Sequence, residues 1–164
     1  MSSAVLSYDS FIREQRQNRE FSDFETLQVR GPSIGSRYHT IIEFLMPSEV
    51  PSNLCLTLTV GADVPGVSTF EIVQIIDPLP SQVTWAQDAS SIDNGTFITS
   101  DIVPALAQKT DPIFFDISTV TVIEGKISLG VTMTDGDVNV RFFSSESTDL
   151  RAVSPYVILG ACPT

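Results

Sequence analysis

Arginine is the residue type in this chain whose chemistry best suits the holding of a partner. Its planar guanidinium group forms paired hydrogen bonds with carboxylates and also stacks on aromatic rings. The candidate contacts for a ligand or partner are Arg13, Arg16, Arg19, Arg30, Arg37, Trp85 and Arg141. Four of these arginines lie in or beside predicted strands, namely Arg13, Arg30, Arg37 and Arg141. On one shared sheet face they would bind an anionic sugar or an acidic neighbour. The alternative, which is favoured, is separate surface arginines paired with local acids.

Trp85 and His39 each allow two interpretations. Trp85 follows Val83 and Thr84 beside a proline-rich break, where its ring would either stack on a sugar or pack against the protein, and packing is favoured. His39 is the only histidine, and it faces away from the apolar side of its predicted strand. We therefore expect His39 to be a surface residue rather than a catalytic one.

The sequence contains no motif for enzyme chemistry. Hydrolysis needs a nucleophile or a polarised water with a positioned base. Neither a Gly-x-Ser-x-Gly motif, a phosphate loop nor a histidine-based metal motif is present. The sequence thus predicts a protein that is not an enzyme and that has no cofactor and no metal.

Two glycine-containing segments fit tight turns and have a second interpretation each. Asp135, Gly136 and Asp137 offer oxygen ligands to calcium, but a hairpin turn explains Asp135 and Gly136 without a metal. The segment 94–96, Asn-Gly-Thr, fits the N-glycosylation pattern and is interpreted as a turn, because no export signal is evident.

The two cysteines, Cys55 and Cys162, are too few for a disulfide scaffold. Strand alternation places both outward, away from Leu54, Leu56 and their neighbours. The thiols would pair within the chain, pair between chains or stay free. Free thiols are favoured, since nothing in the sequence proves an oxidising compartment.

The net charge of −11 is unevenly distributed. Residues 1–40 carry as many arginines as acids, so the whole excess of acid falls on residues 41–164. Such a surface repels nucleic acid and anionic lipid. No apolar run approaches membrane-helix length, and residues 1–10 do not form a secretory signal. We therefore expect cytoplasmic synthesis, with no nucleic-acid and no membrane partner.

Alternating apolar residues and turn signals predict about ten short strands in one antiparallel β-sandwich, jelly-roll-like, spanning residues 1–164. The predicted strands are 7–13 (an edge strand), 26–30, 37–46, 54–60, 69–76, 83–85, 113–117, 119–123 (or loop), 126–133, 138–143 and the one that Pro155 opens. Residues 1–7 form an arm, and 14–25 an arginine-containing loop. The two strands between Val138 and Leu159 form a closing hairpin. One helical turn is predicted at 101–108, and 86–95 is predicted to be loop.

An ordered series of segments carries a family resemblance. These segments are Asp9–Arg13, Phe24–Gly31, Arg37–Phe44, Leu54–Leu58, Val83–Trp85, Phe115–Ile117 and Phe142–Glu146, with Pro155 before the last strand. In this order they resemble the DNRLRE domain family across residues 8–160. The resemblance implies a jelly-roll-like β-sandwich, and one branch of the family consists of alginate-binding carbohydrate modules. The glycine- and asparagine-rich turn of the family is missing after Arg13, and residues 78–82 replace its Trp-x-Glu segment.

Two functions follow as hypotheses. The first is a structural protein of a bacteriophage-like particle, such as a capsid decoration, cement or fibre protein at the virion surface. Its partners would be copies of itself and a shell protein, with the neutral N-terminal segment as the docking contact. The second, implied by the resemblance, is a carbohydrate-binding module with a polysaccharide on one sheet face.

Overall fold

The computed structural model describes residues 3–31, 36–136 and 138–163. Its strands are β1 Val5–Arg13, β2 Thr26–Arg30, β3 Tyr38–Leu45, β4 Cys55–Thr59, β5 Ser68–Gln74, β6 Thr96–Val103, β7 Pro112–Asp116, β8 Lys126–Asp135, β9 Asn139–Phe143 and β10 Tyr156–Ile158. The helix α1 is Trp85–Asp93. At nine residues, this one helix of the described ranges is not long enough to cross a membrane.

The strands form two antiparallel sheets. The large sheet has the order β6-β5-β8-β3-β2-β9, with β1 added along β3, and the small sheet has the order β10-β4-β7. The predicted all-β antiparallel sandwich is thereby confirmed. The predicted arm at 1–7 is too long, because β1 begins at Val5, where it pairs with Leu45.

The main core lies between the two sheets and follows strand alternation. Leu56 and Leu58 of β4 are buried there together with Phe44 of β3 and Phe70 of β5. Each fully buried side chain of this size contributes roughly 1.5–3 kcal/mol. The alternating run at 54–60, which is the clearest strand signal in the sequence, therefore builds the central strand of the small sheet.

A second apolar cluster lies on the other face of the large sheet, beneath α1. Ile41 and Val73 of the sheet contact Trp85 and Ile92 of the helix. Thr84 caps α1, since its side chain accepts a hydrogen bond from the Gln87 backbone N–H. The predicted strand at 83–85 and the predicted loop at 86–95 are therefore wrong, because burial at the helical spacing of Trp85, Asp88 and Ile92 fixes a helix.

Three further local predictions are also wrong. The helical turn predicted at 101–108 is absent from the described chain; residues 101–103 instead end β6, which pairs with β5. Asp135-Gly136 is not a hairpin turn, because β8 pairs with β3 and β5 while β9 pairs with β2. The segment after β9 does not close a hairpin either, since β10 joins the other sheet.

The cysteines form a disulfide, Cys55–Cys162, which corrects the expectation of outward, free thiols. Cys55 is fully buried. Pairing of β10 with β4 places Ile158 opposite Cys55, so the residues that follow Ile158 carry Cys162 back to its partner. A disulfide of this kind is typical of an oxidising environment.

Candidate functional site

The predicted arginines divide into groups, and three of them gather on the rings of Phe21, Phe24 and Tyr38. The guanidinium carbons of Arg13 and Arg30 lie 4.6 Å and 5.3 Å from the Tyr38 ring centre. That of Arg19 lies 5.1 Å from the Phe21 ring and 5.3 Å from the Phe24 ring. We name this group, Arg13, Arg19 and Arg30 with Phe21, Phe24 and Tyr38, the arginine–aromatic surface.

Strand register brings the first two arginines together. Tyr38 begins β3 and is opposed by Arg13 of β1 on one side and by Arg30 of β2 on the other. Directly opposed residues of antiparallel strands project from the same face, so both guanidinium groups reach the Tyr38 ring. The Tyr38 hydroxyl also accepts a hydrogen bond from Arg30 Nη1 at 3.3 Å.

Two successive turns place Arg16 and Arg19 after β1. The Arg16 backbone N–H donates to the Arg13 carbonyl, and the Arg19 N–H donates to the Arg16 carbonyl. The chain then inserts Phe21 against Phe11, with ring centres 4.7 Å apart. This contact anchors the arginine-containing loop at 14–25 to the core side of β1 and holds Arg19 at the surface, whereas Arg16 is exposed and contacts no described ring.

Among the described residues, the charges of Arg13 and Arg19 are not neutralised by acids nearby. Within the described ranges, no carboxylate lies at ion-pair distance from Arg13, Arg16, Arg19 or Arg141. The buried Nε of Arg13 also has no hydrogen-bond acceptor among these residues. A guanidinium that stacks on a ring uses its flat face and keeps its N–H edge for an acceptor. The arrangement can therefore bind carboxylate or sulfate groups.

Arg37 and Arg141 lie apart from the three stacked arginines. Arg37 forms an ion pair with Glu14 at 2.9 Å, and its guanidinium carbon lies 5.3 Å from the Trp85 ring centre. Arg141 is an exposed residue of β9, opposite Gln28 of β2. Arg37 is therefore a surface arginine that pairs with a local acid, as the alternative interpretation of the arginines expected.

Trp85 and His39 are buried together on the outer face of the large sheet. The indole is 8% exposed and stacks on the imidazole of His39, with ring centres 4.8 Å apart. Trp85 therefore packs against the protein and offers no open ring face to a sugar. The expectation of a surface histidine is wrong: His39 does face away from the main core, but α1 covers it and leaves it 5% exposed.

Burial determines the protonation of His39. Loss of solvent, assisted by the positive charge of Arg37, lowers the pKa of His39 to about 4. The imidazole is therefore neutral near pH 7. Its Nδ1 has no hydrogen-bond partner among the described residues.

No group of three or more His, Cys, Asp or Glu side chains within the described part of the chain could hold a metal ion. Asp137, one of the two aspartates considered for calcium, lies outside the described residues.

Asn94 caps the C-terminal end of α1, in agreement with the turn expected at 94–95.

Sequence reasoning missed three aromatic residues: Phe21 and Phe24, which lie beneath Arg19, and the exposed Phe97. The first two were placed in a polar, irregular loop, and the signal that could have identified them is the presence of two phenylalanines shortly after Arg19 within residues 19–24. Phe97 belongs to β6, whose residues 96–103 read Thr-Phe-Ile-Thr-Ser-Asp-Ile-Val. The signal that could have revealed this strand is its high content of β-branched and aromatic residues, not an alternation of apolar and polar ones.

Known proteins resemble this chain in structure rather than in sequence. No family model matches the chain, and no curated protein matches it. The chain is similar in structure to a carbohydrate-binding module of Cellvibrio mixtus lichenase 5A, solved in complex with cellotriose. The identity is 12%, the alignment covers 82% of this chain and 96% of the module, and the TM-score is 0.36.

Proposed function

We propose that this protein is a non-catalytic binding module that holds an acidic polysaccharide on the arginine–aromatic surface. The observation that carries the proposal is the convergence of Arg13 and Arg30 on Tyr38, with Arg19 beside them on Phe21. The proposal also agrees with the resemblance to the DNRLRE family, which includes alginate-binding modules.

The overall negative charge does not prevent such binding. Charges separated by more than about 10 Å are largely screened at 0.1 M salt, so a polyanion at the surface responds mainly to the nearest groups. Two of the nearest groups are the guanidinium ions of Arg13 and Arg19, which have no ion-pair partner in the described ranges. The rings beneath these ions restrict the side chains, which reduces the entropy lost on binding.

Affinity electrophoresis tests the proposal with two soluble polymers of the same backbone. Carboxymethyl cellulose carries carboxylates and hydroxyethyl cellulose does not. We expect the acidic polymer to retard the protein, retardation to weaken with salt, and Arg19→Gln to weaken binding at least about fivefold, near 1 kcal/mol. Arg151→Gln is the matched control, because Arg151 already pairs with Asp149. Equal retardation by both polymers, or none, would overturn the proposal.

A second candidate is the assembly function, as a decoration, cement or fibre component of a virion or similar extracellular particle. The favouring observation is β6, an edge strand that exposes Phe97 by 58% and Ile102 by 61%. Long apolar edge strands invite pairing with another chain. Sedimentation tests this function: we expect self-association that Ile102→Lys abolishes, and a monomer at all concentrations would exclude assembly through this edge.

A further inference from the structure

A cleft of about 380 Å³ opens on the outer face of the large sheet where α1 ends. One residue from each of four neighbouring strands forms its floor: His39 of β3, Thr132 of β8, Glu71 of β5 and Phe97 of β6. Thr132 directly opposes Glu71 in the register of β8 and β5. We call this depression the helix-flank cleft.

Glycines allow α1 to pack closely against the sheet beside the helix-flank cleft. A β-carbon on Gly130 would lie 2.9 Å from a side-chain carbon of Ile92, and one on Gly95 would lie 2.7 Å from the Gln74 carbonyl oxygen. These two glycines let α1 and the turn after it lie directly on the sheet, so that Asp93 and Gly95 form one wall of the cleft.

The polar groups around the cleft suit hydroxyl groups, which both donate and accept hydrogen bonds. Glu71 and Asp93 supply acceptors, Arg37 supplies donors, and the neutral imidazole of His39 has one nitrogen of each kind. No described group hydrogen-bonds to His39 Nδ1, although the residue is 5% exposed, so the floor contains a buried polar atom whose hydrogen-bonding capacity is unmet.

The edge of the cleft adds an aromatic surface. Phe97 of β6 lies opposite Val73 of β5, and the residue is 58% exposed. An exposed ring beside converging polar groups presents an apolar plane to the C–H face of a sugar while the polar groups meet its hydroxyls. The volume is near the lower end of small-ligand sites, which run from about 300 to 1,000 Å³.

Charge selects the class of sugar. The two lining carboxylates outnumber the one lining guanidinium, and Arg37 already pairs with Glu14. The two carboxylates would therefore repel an anionic sugar, and the guanidinium group of Arg37 would repel a cationic one. We infer that the helix-flank cleft is a second ligand site, separate from the arginine–aromatic surface, which takes an uncharged hexose unit with Phe97 stacked on it.

The site can be tested by nuclear magnetic resonance titration with the neutral probes methyl glucoside, methyl galactoside and methyl mannoside, and with methyl glucuronide as the charged counterpart. We expect at least one neutral glycoside to shift the amide signals of residues 71–73, 95–97 and 132–134, and the glucuronide to bind more weakly. Phe97→Ala and Glu71→Gln should each raise Kd at least about fivefold.

Ile102→Ala is the matched control, because Ile102 is an equally exposed apolar residue of the same strand outside the cleft lining. It should leave Kd unchanged, as should Arg19→Gln, which addresses the acidic-polysaccharide proposal alone. The inference is overturned if no neutral glycoside shifts these signals, if the glucuronide binds more tightly, or if Ile102→Ala weakens binding as much as Phe97→Ala.

Discussion

The carboxylate of Asp9 accepts two hydrogen bonds from Ser145, one from the backbone N–H at 2.7 Å and one from the hydroxyl at 2.6 Å. Asp9 belongs to the first strand and is 4% exposed, while Ser145 lies in the turn after β9. The contact joins residues 136 positions apart, and both come from segments that carry the family resemblance. It ties the first strand of the large sheet to the turn that leaves its last strand.

Replacing Asp9 should therefore destabilise the fold. Asp9→Asn removes the charge that strengthens both hydrogen bonds, and we expect a loss of about 1.5–3 kcal/mol in the free energy of unfolding measured with urea. Ser145→Ala removes one donor and should cost about 1 kcal/mol. Ser154→Ala, at an exposed position, is the control. Additive effects in the double variant would show that the two residues are not coupled.

The disulfide should account for a large part of the stability. It closes a loop between residues separated by 107 positions and holds the three-residue strand β10 onto β4. Cys162→Ser should lower the free energy of unfolding by roughly 2–5 kcal/mol. A reducing agent should destabilise the unmodified protein to a similar extent and leave the variant unchanged. An effect of reductant on the variant would indicate a different cause.

Elements with strong local signals could be predicted from the sequence. The alternation from Leu54 to Val60 identified β4, because one face of that strand meets the core at every second residue. α1 was missed although the sequence contains its signals, a Thr84-x-x-Gln87 cap and apolar residues at 85 and 92. The tripeptide Val-Thr-Trp had been interpreted as a strand, which concealed the cap.

Features that depend on distant pairing could not be predicted. The β1 and β2 strands flank the same end of β3, so the meeting of Arg13 and Arg30 on Tyr38 follows from sheet order rather than from spacing along the chain. His39 was assigned to the surface because the alternation of its strand indicates only that the side chain faces away from the main core. It does not indicate whether another element covers that face. The helix that covers that face lies more than forty residues later in the sequence.

Contact between α1 and the sheet at Gly130 can be tested directly. Gly130→Ala would place a methyl group 2.9 Å from a side-chain carbon of Ile92, and we expect a loss of about 1–3 kcal/mol. Gly160→Ala is a matched control, since the nearest atom there is 3.9 Å away. Ile92→Ala should relieve the clash, so the double variant should be more stable than the sum of the single effects predicts. Strict additivity would contradict this contact.

The buried imidazole of His39 should make stability depend on pH in a defined window. Its pKa is lowered to about 4 in the folded protein, from 6.5 for an exposed histidine. Between these values the unfolded chain binds the extra proton, so acidification favours unfolding, by up to about 3 kcal/mol in total. Stability should be independent of this residue above pH 6.5, fall as the pH drops towards 4, and change no further below that.

Arg37, Asp93 and Glu14 surround the group, and most carboxylates titrate below pH 5, although burial raises the pKa of Asp88 in α1. The difference between the unmodified protein and His39→Gln in urea unfolding between pH 5 and 7 therefore isolates the histidine. His39→Gln should remove the slope in that interval. Because the chain contains one histidine, its proton resonance can be followed without assignment. A folded-state titration midpoint near 6.5 would contradict the burial of His39 beneath Trp85.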